Sequence, residues 1–268
     1  MRANDVHTPD ILRHGAYACL RVPVEARQTV ARMPVAALAA RLGLSNEFEP
    51  HGQPPPDSVA FLRRVGAVSG PRADDELLRA DAVVHVSAAA AAPVAAFCAE
   101  LANLLGRAGK PRVLEGVVRP TSYTGNAMHN FAYAHQVVQQ PGPAMPNAFL
   151  IPMSKTTAWW AKGWMERHTY FLPRYDDAGH IVNEGHALAA AAGVPCLLRR
   201  TYKHVSEPAP EDAYDFVTYF ECSDADVPTF HTVCAALRDV ARNPEWAFVR
   251  EGPTWHGRRV ATWAEVFA

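Results

Sequence analysis

Apolar and polar positions follow one another in two successive series along the chain. Residues 15–24 (GAYACLRVPV) are apolar, with β-branched and aromatic content, and predict a strand. Residues 30–44 carry Val30, Met33, Leu38 and Leu42 at helical spacing, with Pro34 confined to the first turn. A Pro-rich loop (GQPPPDS) follows, and then residues 59–68 and 81–86 predict two strands separated by SGPRADDE. Residues 93–107 predict a helix, with Pro93 suited to its start and Gly109 to its stop. Residues 112–119 (RVLEGVVR) predict a strand.

The second series repeats this order. Residues 148–153 predict a strand, and residues 159–192 read as largely helical with a loop at LPRYDDAG. Strands at 196–202 and 215–221 flank the turn SEPAPEDA. Residues 228–242 predict a helix with Phe230, Val233, Leu237 and Val240 on one face, and residues 246–249 the last strand. The halves share element order without close identity. The expected fold is α+β: two ferredoxin-like β-α-β-β-α-β repeats, residues 1–120 and 121–268, whose sheets pair into a barrel with helices outside.

Composition narrows the function. Of 268 residues 49% are apolar and 20% charged, the balance of a globular protein with a large core. A net charge of −1 leaves no basic surplus for nucleic acid. The first 14 residues have no apolar signal region, and residues 35–44 are too short and too broken by Arg41 to span a bilayer, so a cytoplasmic protein without a membrane partner is expected. Five scattered cysteines without a CxxC pair read as reduced thiols. Neither GxGxxG, GxxxxGK nor HExxH occurs, and His180 and His186 stand six apart, off one helical face.

The chemistry-bearing residues lie in the second half. Lys155 ends an apolar strand just before Trp159 and Trp160. These residues read either as a snorkelling lysine beside core tryptophans or as the mouth of a site for a flat anionic molecule. His186 stands among alanines in GHALAAAAG, either as a core histidine or as one that a bulky group can approach. Arg199 and Arg200 are consecutive in a strand, so alternation sends one to each face.

Five spaced segments, GVVRPTSYT, AFLIPMSKTTAWW, His186 with Arg199 of RRTY thirteen residues on, YDFVTYFE, and EGPTWHGRR, resemble the chlorite dismutase family of haem proteins. That family is related in fold to coproheme decarboxylases and dye-decolourising peroxidases. The resemblance implies haem b, with its iron held by His186 and its propionates by Lys155 and Tyr123. It implies further that Trp159 and Trp160 line the haem and that Arg199 governs the opposite, distal side. His168, His180 and His204 are the rival iron ligands. The implied activity is a haem oxidoreductase acting on an oxyanion or oxygenated substrate, with chlorite to chloride and O2 as the family reaction. The implied assembly is a homo-oligomer, a pentamer before a dimer. A biosynthetic haem enzyme for an N–O or N–N substrate is one rival reading. A haem-binding, sensing or cofactor-free barrel without turnover is the other.

Two departures stand out. About a dozen extra residues (HTYFLPRYDDAG) separate Trp160 from His186. The glutamate that bonds the proximal histidine in chlorite-degrading members would fall, counting from YFE, near Arg242, where no carboxylate stands. Asp239 or Glu245 would serve only after a local shift, and without such a partner strong chlorite or peroxidase activity is not expected.

Overall fold

The computed structural model describes residues 13–46, 57–66, 75–118 and 145–268. The first half runs β1 (Arg13–Leu20), α1 (Arg27–Ala31), α2 (Val35–Arg41), β2 (Ser58–Arg64), β3 (Ala82–Ala88), α3 (Ala91–Leu105) and β4 (Arg112–Val118). Pro34, which has no N–H to give, stands ahead of α2 and splits the single expected helix in two. The second half runs β5 (Asn147–Lys155), α4 (Thr157–Trp160), α5 (Trp164–Thr169), β6 (Arg174–Tyr175), β7 (Ile181–Asn183), α6 (Gly185–Ala189), β8 (Leu198–Lys203), β9 (Phe216–Cys222), α7 (Val227–Arg238), β10 (Val249–Glu251) and β11 (Trp255–Val260).

Two expectations change here. Residues 159–192 hold three short helices and a two-stranded hairpin, β6–β7, instead of a mostly helical stretch, because Gly163, Pro173, Gly179 and Gly185 punctuate it. The last strand is not at 246–249. Trp246 lies in a 3-10 helix (Pro244–Phe248), and β10 and β11 follow on either side of Gly252-Pro253.

Nine strands form one antiparallel sheet in the order β10-β5-β11-β2-β3-β1-β4-β8-β9, and β9 also pairs with β5, which closes it. β11 pairs with the first part of one edge of β5 and β10 with its end. Alternation then divides every strand between a lumen and an outer face. Tyr17, Leu62, Tyr202, Tyr219 and Trp255 fill the lumen. Gly15 allows the Tyr202 ring to lie against its strand, where any Cβ would overlap it.

Helices cover the outer face in two places. α3 buries Val94, Phe97, Cys98, Leu101 and Leu105, one helical stripe, against β1 and β3. α7 buries Phe230, Val233, Cys234, Ala236 and Leu237 over β5 and β9, with Phe230 stacked on Phe149 at 3.7 Å. Each large side chain so buried contributes about 1.5–3 kcal/mol. Among the described residues no helix is long and apolar enough to cross a membrane.

Candidate active site

Between the outer face of β5, β8 and β9 and the helix α7 lies a cleft of about 890 Å³, including its open mouth. Its floor is Ile151, Met153, Arg199, Thr201, Phe216, Thr218 and Phe220, the outward positions of three neighbouring strands. Register places Thr201 opposite Thr218 and Arg199 opposite Phe220. Lys155, Phe171, His186, Glu245 and Trp246 close it from the side, with Leu237 and Arg238 of α7 above.

His186 owes its place to two neighbouring backbone segments. Gly185 has φ +60°, and a Cβ there would overlap the Leu172 carbonyl, so only glycine fits. Glu184 and Gly185 donate their N–H groups to the Arg242 carbonyl, and His186 and Ala187 donate theirs to Tyr170 and Phe171. With its backbone pinned, the imidazole is held from both nitrogens. Nδ1 lies 2.9 Å from Glu245 Oε2, and Arg199 Nη1 lies 3.3 Å from Nε2. A guanidinium has only donors, so Nε2 accepts, and the proton stands on Nδ1, donated to Glu245. Nε2 thus turns its acceptor side to Arg199 and the cleft.

The carboxylate bonded to His186 is Glu245, three residues beyond Arg242, where counting from YFE points. α7 ends four residues earlier than the sequence suggests, at Arg238, and the turn after it tucks inward. Asn243, fully buried, donates its N–H to the Asp239 carbonyl and its side-chain amide to that of Leu237, which delivers Glu245 to the cleft. Arg242 points elsewhere and pairs with Glu184. Glu245 Oε1 accepts from Lys155 Nζ. Burial alone would raise the Glu245 carboxyl, but Lys155 and then His186 outweigh it and hold the group at about 2.

Lys155 therefore spends its ammonium inside the protein, 4.4 Å over the Trp159 ring and bonded to Glu245. Its own N–H donates to Asp215 Oδ2 at 2.6 Å, an oxygen that also accepts from Trp160 Nε1 at 3.3 Å. Trp159 is buried with Phe171 and Ala187 behind the cleft, and neither tryptophan is among the cleft's lining residues. Arg199 takes the outward face of β8, while Arg200 stands among the lumen's Tyr17, Tyr202 and Tyr219. His180 is exposed beside Asp176, His204 contacts Ser206, and His168 is also off the cleft. Tyr123 lies outside the described residues.

The fold has solved counterparts. A variant of chlorite dismutase from Candidatus Nitrospira defluvii matches with TM-score 0.65 and 20% identity, over 97% of this chain and 95% of that one. The same protein in complex with imidazole matches with TM-score 0.64 and 20% identity, covering 95% and 93%. The chain has the chlorite dismutase fold. A provisionally assigned chlorite dismutase shares that fold at 13% identity and TM-score 0.59, over 96% of this chain and 98% of that one. No protein-family model matches the sequence, and no curated protein does.

The chlorite dismutase fold raises the question of haem, and the residues present fit it. Haem iron takes one imidazole nitrogen from the protein, which His186 Nε2 offers to a cleft walled by Phe171, Phe216, Phe220, Ile151 and Leu237. Among the described residues no three His, Cys, Asp or Glu side chains converge as a metal-ligand set.

Proposed function

We propose that the cleft binds haem b through His186 and that the protein is a haem oxidoreductase of the chlorite dismutase-like family, acting on an oxyanion or oxygenated substrate. One observation carries this reading: the unbroken chain Lys155–Glu245–His186, which ends on an unprotonated Nε2 facing the cleft.

Haem, when bound, supplies a redox-active iron with an open coordination position. The rest is work for this chain's own residues. Glu245 keeps the proton on Nδ1 and makes the imidazole more electron-donating, the condition for chlorite or peroxide chemistry. Lys155 compensates the buried Glu245 charge, and so acts on the ligand histidine instead of reaching out to a propionate. Trp159 supports Lys155 from behind, and Trp160 ties the same corner to Asp215. Arg199 carries a permanent charge in an apolar cleft, where it binds an anionic substrate and stabilises negative charge leaving it. It must move off Nε2 to do so. The fold reads as two ferredoxin-like repeats, 1–120 and 121–268, the second bearing the site. By the same resemblance Tyr123 is a propionate contact and the chain assembles as a homo-oligomer, a pentamer before a dimer.

An oxygen electrode tests the reaction. Hemin-loaded protein is expected to release O2 from chlorite. Full loading with neither O2 release nor peroxide consumption would overturn the oxidoreductase reading.

A further inference from the structure

We propose that a second cavity, at one end of the barrel and separate from the His186 cleft, binds a small molecule bearing a multiply charged phosphate group. It spans about 580 Å³ including its open mouth and is lined by Cys19, Arg21, Arg79, Ala80, Lys110 and Arg112. Four of these six residues are cations, and no carboxylate is among them. They come from three places in the sequence: the end of β1, the turn before β3 and the start of β4.

Their pairing sets them apart. Arg112 Nη1 lies 2.8 Å from Asp75 Oδ1, and Asp75 also accepts from the Leu77 N–H and the Tyr214 hydroxyl. That carboxylate is thus fully engaged. Arg21, Arg79 and Lys110 are exposed and form no ion pair among the described residues. Several cations elsewhere are matched by carboxylates, with Arg27 and Arg64 on Asp81, Arg238 on Glu251, Arg242 on Glu184 and Arg258 on Asp224, whereas here three without an ion pair line one cavity. With Arg112 matched by Asp75, three uncompensated like charges remain at one cavity, at a cost in repulsion that a bound anion reverses. Guanidinium forks match phosphate oxygens, and Lys110 adds a point charge. A monocarboxylate would balance one of the three unpaired cations, whereas a pyrophosphate or a doubly ionised phosphomonoester balances two or more. Cys19 and Ala80 are small and leave room beneath.

The cavity also adjoins the His186 cleft through the chain. Tyr214 bonds Asp75, the partner of the cavity's Arg112, and Asp215, the next residue, accepts from the backbone N–H of Lys155, which lines the cleft.

Pyrophosphate titrated calorimetrically into haem-free protein at constant ionic strength tests the proposal without relying on the haem reading. The wild type is expected to bind one equivalent saturably. The Arg21→Gln/Arg79→Gln/Lys110→Gln variant is expected to bind at least about tenfold more weakly, because each charge-assisted bond removed is worth about a factor of ten. All three side chains are exposed and unpaired, so thermal stability should not change. No saturable binding by the wild type, equal binding by the variant, or the same heat from chloride overturns it.

Discussion

Replacing Glu245 by glutamine removes one charge from the middle of the Lys155–Glu245–His186 chain while keeping its shape. In the native protein burial pushes the Glu245 carboxyl up, yet Lys155 and His186 bring it to about 2, against an ordinary 4.5. A folded-state value below the unfolded one means that the carboxylate stabilises the fold fully above about pH 4.5, and that this is lost as pH falls towards 2. The gap of roughly 2.5 units corresponds to about 3 kcal/mol. Glu245→Gln forfeits that term and strands the Lys155 ammonium in a buried site, an expected loss of about 3–5 kcal/mol at pH 7. Urea unfolding of haem-free protein measures it. Lys155→Met/Glu245→Gln removes both charges and should recover at least about 1–2 kcal/mol of the loss. Between pH 5 and 2.5 the wild type should lose stability more steeply than Glu245→Gln. A single variant within about 0.5 kcal/mol of wild type, or no coupling to Lys155, would refute the reasoning.

Three further outcomes are expected. Arg199→Gln should bind hemin as wild type does but weaken nitrite binding to the loaded protein by about tenfold or more, read by visible titration. Trp159→Ala, which empties a buried site beneath Lys155, should cost about 3–5 kcal/mol in urea unfolding. Burial pushes the Cys98 and Cys222 thiols up to about 12 and that of Cys234 to about 11, and Cys19 is also buried, so at pH 8 a thiol reagent should modify the half-buried Cys196 first. The other four should react only in denaturant.

Much of this was legible in the sequence because the pattern was local. Strands β1 to β5, β8 and β9 follow apolar runs, and Lys155, His186 and Arg199 were singled out by residue type against their neighbours. Glu245 was named only beside Asp239, as a partner that needs a local shift, because its placement depends on where α7 stops. Apolar spacing carries on to Val240, but the helix ends at Arg238, and a buried asparagine turns the chain. Counting along the sequence then points to Arg242, and only a shift of three residues reaches the carboxylate. The β6–β7 hairpin escaped for a different reason. Its strands are two and three residues long and largely exposed, with no alternation to read. The commitment of Lys155 to Glu245 is a tertiary contact across 90 residues, invisible to any local pattern.

The central claim is that His186 presents Nε2 to a haem. The most direct measurement is a hemin titration followed in the Soret region, run in parallel on wild type and His186→Ala. One equivalent bound by the wild type, with the band lost or shifted in the variant, is the predicted result. No Soret band in the wild type, or an identical spectrum in the variant, would contradict the claim.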